Sequence, residues 1–270
     1  MGDLEENLER VARRATPLKV LVYDVETAPL HSYHWRVWKE NIHPGQLQNK
    51  TWMICWAARW QDQKTMRSDA VTSEEAVAEN DGRIVESLAE LVRKADLIIA
   101  HNGDRFDLPV LNTRLLDLRL PPLPPVRTID TLKIAKRDFK FVYNRLDYLA
   151  EFLGLDQKHS MDFEDWLAAI KGDQTAISKM RKYCKHDIEV LENVWNELRP
   201  YAKRLPRMVE ADHEMHKACP HCGAGIDKLI PEGWHRTNAS NFARYKCGEC
   251  GKRSRSRSAS PFKKMGLHPL

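Results

Sequence analysis

The chain has 270 residues, a hydrophobic content of 42%, a charged content of 30% and a net charge of +5. That composition excludes a disordered or collagen-like chain and suits one large domain with a small one beside it. No apolar run approaches the roughly 18 residues of a membrane span, and MGDLEENLER lacks the basic-then-apolar layout of a signal peptide, so a cytoplasmic location is expected.

In chain order, a short helical arm (1–17) precedes a strand at about 18–24, LKVLVYD. A Trp-rich loop follows, then strands near 51–60 and 64–70, rich in β-branched and aromatic residues. GRIVESLAELVRKA (82–95) has apolar residues at helical spacing, and DLIIAHN (96–102) is a short strand running into a turn. A helix over 105–120 is closed by PPLPP. Helices at about 131–138, 145–154 and 162–170 lead to one long helix from about 173, which Pro200 strains or ends. Three early strands followed by strand and helix alternation predict an α/β domain with a mixed sheet. The final GKRSRSRSASPFKK reads as a disordered basic tail.

Charge is unevenly spread. From Lys203 onward fourteen Lys and Arg face six Asp and Glu, whereas the preceding residues hold 29 against 32. A nearly neutral body with a basic end implies a polyanionic partner; solubility alone is the plainer reading.

Asp24 and Glu26 end the first strand with one valine between them, so they project from the same face. Asn102 and Asp107 straddle the passage from strand to helix in HNGDRFDLPVL. Tyr183 and Asp187 lie four apart on the long helix and share a face. Four gathered carboxylates repel one another and resist ionisation. Hard divalent cations such as Mg²⁺ or Mn²⁺ remove the conflict and repay the desolvation of Asp24 and Glu26.

D-x-E-T, N-x-x-x-F-D and Y-x-x-x-D, in that order, resemble the three exonuclease motifs of the DEDD superfamily, which has the ribonuclease H-like fold. Tyr183 places the resemblance in the DEDDy branch; the DEDDh branch would want histidine where Lys182 stands. IDTLKIAK and NRLDYLAEFLGLDQK are similar to proofreading domains of family B polymerases, and the layout with its cysteine-rich end resembles stand-alone exonucleases of bacteriophages and bacteria, which would put it in a host cytoplasm if phage-encoded. The resemblance covers about 18–203. It implies a mixed sheet flanked by helices and two-metal hydrolysis, by two Mg²⁺ or Mn²⁺, of terminal phosphodiesters of single-stranded DNA in the 3′–5′ direction. Asp24 would bridge the ions, Glu26 and Asp187 would hold one and Asp107 the other, and Tyr183 would orient the attacking water. Alternatives are a 3′–5′ exoribonuclease and a non-catalytic adaptor recruited to a polymerase or other replication protein.

HSYHWRVWKENIHPG (31–45) interleaves Tyr33, Trp35 and Trp38 with Arg36, Lys39 and three histidines, as single-strand channels do; the same aromatics could instead pin a long loop. Trp35, Arg36, Trp38, Asn102 and Phe106 are the candidate nucleic-acid contacts, and Asp130 reads as structural or as a support behind the ligands rather than a ligand itself. Near the C-terminus, CPHC (219–222) and CGEC (247–250) are two C-x₂-C knuckles separated by 24 residues. Cys219, Cys222, Cys247 and Cys250 predict a closed structural Zn²⁺ site in a ribbon over 204–252, ahead of the tail at 253–270, with His213, His216 and His221 as substitute ligands. Cys55 and Cys184 read as small buried hydrophobes.

Overall fold

The computed structural model describes residues 18–36, 38, 41–61, 63–155, 161–206, 219–237, 240–256 and 259. The arm at 1–17, Lys39, His213, His216 and most of the expected tail lie outside them. The chain separates into two compact units, one spanning Lys19–Leu198 and one containing the cysteine-rich segment beyond Arg199.

The first unit is built on five strands: β1 (Val20–Thr27), β2 (Met53–Trp60), β3 (Met66–Ala70), β4 (Leu97–Ala100) and β5 (Arg127–Asp130). Their spatial order is β3-β2-β1-β4-β5. The first three form an antiparallel meander, and β4 and β5 add in parallel on the other side of β1. The sheet is therefore mixed, as the alternation of elements predicts. Strand β1 lies at its centre and is buried on both faces over Val20–Tyr23, which explains its unbroken apolar run.

Helices cover both faces. They are α1 (Ser73–Val77), α2 (Gly82–Arg93), α3 (Asp107–Asp117), α4 (Thr131–Asp138), α5 (Leu146–Phe152), α6 (Phe163–Ile170) and α7 (Gln174–Leu198). The two-residue pleat sorts β2: Arg59 points to α7, where it pairs with Glu192, while the Trp56 indole donates to Ser87 on α2. Helix α2 is amphipathic, and Ile84, Val85, Leu88, Ala89, Leu91 and Val92 form its buried stripe. Pro109 sits in the first turn of α3, where no intrahelical donor is lost. A buried ion pair fixes α3 against the start of α2: Arg114 donates from Nε and from a terminal nitrogen to Asp81 at 2.7 and 2.6 Å, and Asp81 also accepts the Met53 N–H. Removing one partner of such a pair costs roughly 3–5 kcal/mol.

Two short elements escape a periodicity reading. Helix α1 is one turn closed by a capping box between Thr72 and Glu75, and β5 follows directly on the Pro-rich run.

The second unit is a three-stranded antiparallel sheet of β6 (Leu229–Arg236), β7 (Asn241–Cys247) and β8 (Arg253–Arg255), in that spatial order. Strand β8 corrects one expectation. Residues Arg253–Arg255, read as the start of a disordered tail, are ordered because their backbone pairs with Arg244–Lys246. The alternating Arg-Ser repeat that looks like low complexity also has the two-residue period of a strand.

Candidate active site and metal centres

The end of β1 supplies Asp24 and Glu26, in antiparallel register with Ala57 and Cys55. Helix α7 crosses beneath and supplies Asp187. Carboxylate oxygens of Asp24, Glu26 and Asp187 lie within 4.8 Å of one another. Tyr183, one turn earlier on α7, is half-buried, and its ring meets that of Trp166 on α6 edge-on at 6.2 Å. The Trp166 indole N–H in turn donates to the Thr27 carbonyl at 3.2 Å, at the end of β1. Trp166 thus ties the strand bearing two acids to the helix bearing the third. No sequence motif points to it.

Asp107 stands apart from the trio. It opens α3, is 1% exposed, and accepts the Val25 N–H at 3.1 Å, so it grips the peptide between Asp24 and Glu26. Burial, then the charge of Asp24, pushes its carboxyl well above the ordinary range, against the pull of backbone N–H donors. Burial and the neighbouring Asp24 charge both disfavour the ionised form of Asp107. A divalent cation reverses that preference, and a convergent set of hard oxygen donors is what Mg²⁺ or Mn²⁺ requires. The residues fit such ions.

Between β4 and α3 the chain turns in a way its sequence dictates. Asn102 has φ +70°, and a Cβ on Gly103 would sit 2.4 Å from the Ala100 Cβ, so only glycine fits. Asp130 holds this turn: one of its oxygens accepts the Asn102, Leu132 and Lys133 N–H groups at 3.0, 3.0 and 3.2 Å. The structural reading of Asp130 follows directly. His101 spans to Thr131 and to the Asn144 carbonyl. Asp24, Asp187, His101 and Asn102 line a cleft of about 490 Å³ together with Lys136, Tyr143 and Arg145. Sequence reasoning does not single out the last three, although FKFVYNR interleaves aromatic and basic residues as openly as the loop at 31–45.

Trp35 is 96% and Trp38 83% exposed, so these rings do not pin the loop to the domain. The loop is held instead by a Ser32–Leu47 bridge and by Gln46, whose carbonyl accepts the Tyr33 N–H. Arg36 is exposed and Phe106 partly so. Cys55 and Cys184 are fully buried, and burial pushes both thiols up. Cys184 does more than fill space: its S–H reaches the Asp24 carbonyl and carboxylate at 3.5 Å.

The four other cysteines gather on the second unit. Cys219 and Cys250 sulfurs are 3.7 Å apart, Cys222 and Cys247 sulfurs 3.6 Å, and all four fall within 4.8 Å. A tetrahedron with Zn–S bonds of about 2.3 Å has edges of about 3.8 Å, whereas a disulfide needs about 2.0 Å. The set fits a structural zinc ion. Burial raises the Cys219 thiol to about 11 and raises Cys222 further. At Cys247 burial is outweighed by the Cys250 and Glu249 backbone and the neighbouring thiols, and its pKa falls. His221 is placed elsewhere, against the Arg253 carbonyl at 3.1 Å.

A family model described as the RNase H superfamily matches residues 45–199. The chain belongs to the RNase H superfamily. The match begins after Asp24 and Glu26, so the structure, by placing β1 at the centre of the sheet, completes the acid set that the matched region carries only in part. This RNase H-like fold is similar to a family B DNA polymerase from the hyperthermophilic archaeon Pyrobaculum calidifontis, with TM-score 0.50 and 18% identity over 68% of this chain. The likeness spans 25% of the polymerase and shows a shared fold. No curated protein matches the chain. Superfamily membership and the acid cluster together support nuclease chemistry in general, and no helix among the described residues is long and apolar enough to cross a membrane.

Proposed function

We propose that this RNase H superfamily protein is a 3′–5′ exonuclease acting on single-stranded DNA ends with two divalent ions. The observation that carries the reading is the meeting of Asp24 and Glu26 with Asp187, while Tyr183 stands one helical turn away on the same face of α7. Asp24, Glu26 and Asp187 hold the ions, and Asp107, which grips the strand between two of them, completes the set. When bound, the ions supply a water of lowered pKa and a clamp on the phosphoryl oxygens. Tyr183 hydrogen-bonds the attacking water and fixes its direction, with its ring steadied by Trp166. Asn102 holds the terminal nucleotide, and Lys136 and Arg145 hold the strand's phosphates in the cleft. In the same reading the cysteine set holds one structural Zn²⁺, and a separate DNA polymerase is the expected partner.

A 5′-labelled single strand with Mg²⁺ or Mn²⁺ should shorten one nucleotide at a time, and blocking its 3′-hydroxyl should protect it. Internal cuts in a circular single strand would replace the reading with an endonuclease. Equal degradation of a matching RNA would remove the preference for DNA.

A further inference from the structure

Strand register sorts the second unit's side chains onto two faces. His235 pairs with Phe242, Arg244 with Arg255, and Lys246 with both Ile230 and Arg253, so these seven share one face. Arg236, Trp234 and Tyr245 alternate onto the other. Side-chain contacts agree with that sorting. The Arg255 guanidinium lies over the Phe242 ring at 4.0 Å, and the His235 and Phe242 rings are 6.4 Å apart. Arg253 donates to the Glu232 carboxylate at 2.5 and 2.9 Å, and Arg244 donates to the Glu232 carbonyl at 3.0 and 3.2 Å.

Glu232 is the one acid among the described residues of the three strands, against four cations on this face. Arg253 and Arg244 engage it; Lys246 and Arg255 remain as exposed surplus charge. Along β7 the cations repeat every second residue, about 6.8 Å. The neighbouring His235 and Phe242 rings, tilted at 49° to one another, distinguish the face from a merely soluble basic surface. Stacking on Phe242 also holds the Arg255 guanidinium in one orientation, so less entropy is lost when it meets an anion.

We propose that this face of the ribbon, centred on Phe242, Arg255 and Lys246, is a second binding surface for single-stranded nucleic acid. Its cations meet successive phosphates, and bases stack against the His235 and Phe242 patch and the guanidinium above it. It rests on the nuclease reading only for the nature of the polyanion. Cations set for phosphates and ring faces set for bases give it the chemistry of a non-sequence-specific grip.

The test uses the full-length chain in an Asp187→Asn background, so the strand stays intact. Affinity for labelled oligo(dT) and oligo(U) is measured against salt concentration. Lys246→Ala with Arg255→Ala should flatten the log–log slope by about 1.4, at about 0.7 for each phosphate that is no longer neutralised. Affinity at low salt should drop roughly tenfold. Arg236→Ala, which removes a cation from the opposite face, should leave the slope unchanged. Unaltered thiol reactivity of the four cysteines shows that the ribbon is folded. An unchanged slope in the double variant overturns the proposal, as does an equal effect per charge from Arg236→Ala. Capture of an acidic polypeptide that depends on Lys246 and Arg255, with oligonucleotide binding intact, would reassign the face to a protein. A wild-type chain that binds strands through this face yet cuts none would sink the nuclease reading alone. Equal responses with the two oligomers mean that sugar identity is not read here.

Discussion

Two clusters in this protein are shaped for metal, and they are opposites. The cysteine cluster is local: two tight knuckles meet over a small sheet, and four soft donors close a tetrahedron with no vertex open. The acid cluster is assembled from the central strand and the last helix of a larger unit, with hard donors on the edge of a cleft. The first is a clamp that substitutes for a core, since among the described residues Cys219, Cys247 and Cys250 form a buried cluster with Cys222, Ala224 and Leu229 packed against it. The second is an instrument mounted on a core that exists without it. Removing metal should therefore unfold one and merely silence the other.

The sharpest break comes at the acids. Asp187→Asn should lower hydrolysis by roughly 10³-fold or more, beyond the loss of a single electrostatic stabiliser. The melting temperature should hold or rise, because one repelling carboxylate is gone. A steady-state rate beside a thermal melt reads both, and near wild-type turnover would undo the assignment. The mirror experiment is Cys219→Ser. Three thiolates hold zinc poorly, and the second unit should lose binding energy on the order of 10 kcal/mol and unfold. Hydrolysis of short oligonucleotides should stay within about twofold. Zinc stoichiometry and a separate low-temperature transition are the readouts; loss of catalysis as well would mean that the two units are not independent.

Smaller effects sharpen the acid site. Tyr183→Phe should slow turnover by about 10²-fold with little change in binding. Trp166→Leu removes an edge-to-face contact and a hydrogen bond, each about 1 kcal/mol, so a loss of up to about 30-fold in kcat is expected. In a Tyr183→Phe background the same change should cost clearly less, because part of what Trp166 steadies is the phenol. Equal losses in both backgrounds would reduce Trp166 to packing. The smallest effect is a pH dependence. Asp107 has a folded pKa above its ordinary value, so between those two values the metal-free folded state binds more protons than the unfolded one. Its contribution is full at acid pH and is lost as pH rises through that window. Metal-free protein should therefore lose stability across that window, and Asp107→Asn should remove this part of the slope. Parallel pH profiles for the two chains would contradict the upward shift of the buried carboxyl.

Much of this arrangement is legible in the sequence because the physics is local. The central strand announces itself by an apolar run ending in two acids, the long helix by its period, and the cysteine cluster by the C-x₂-C pair. What escapes is short or tertiary. One-turn α1 and four-residue β5 have too few residues for a period to register. Trp166 has no motif, since its role arises only when Thr27 and Tyr183 are brought to it by the fold. Asp107's hydrogen bond to the Val25 N–H is a tertiary contact that no spacing encodes. Strand β8 is hidden by composition: alternating Arg and Ser reads as disorder until a partner strand accepts it.

The order in which the chain is synthesised gives the placement of Asp24 and Asp187 one more consequence. Strand β1 is the first element of its unit to be made, and α7 is the last. Any growing or prematurely terminated chain that ends before α7 carries Asp24 and Glu26 without Asp187, and cannot close the cluster. For a nuclease this is an inbuilt delay. The acid trio closes only once the final helix is complete and has packed across the sheet.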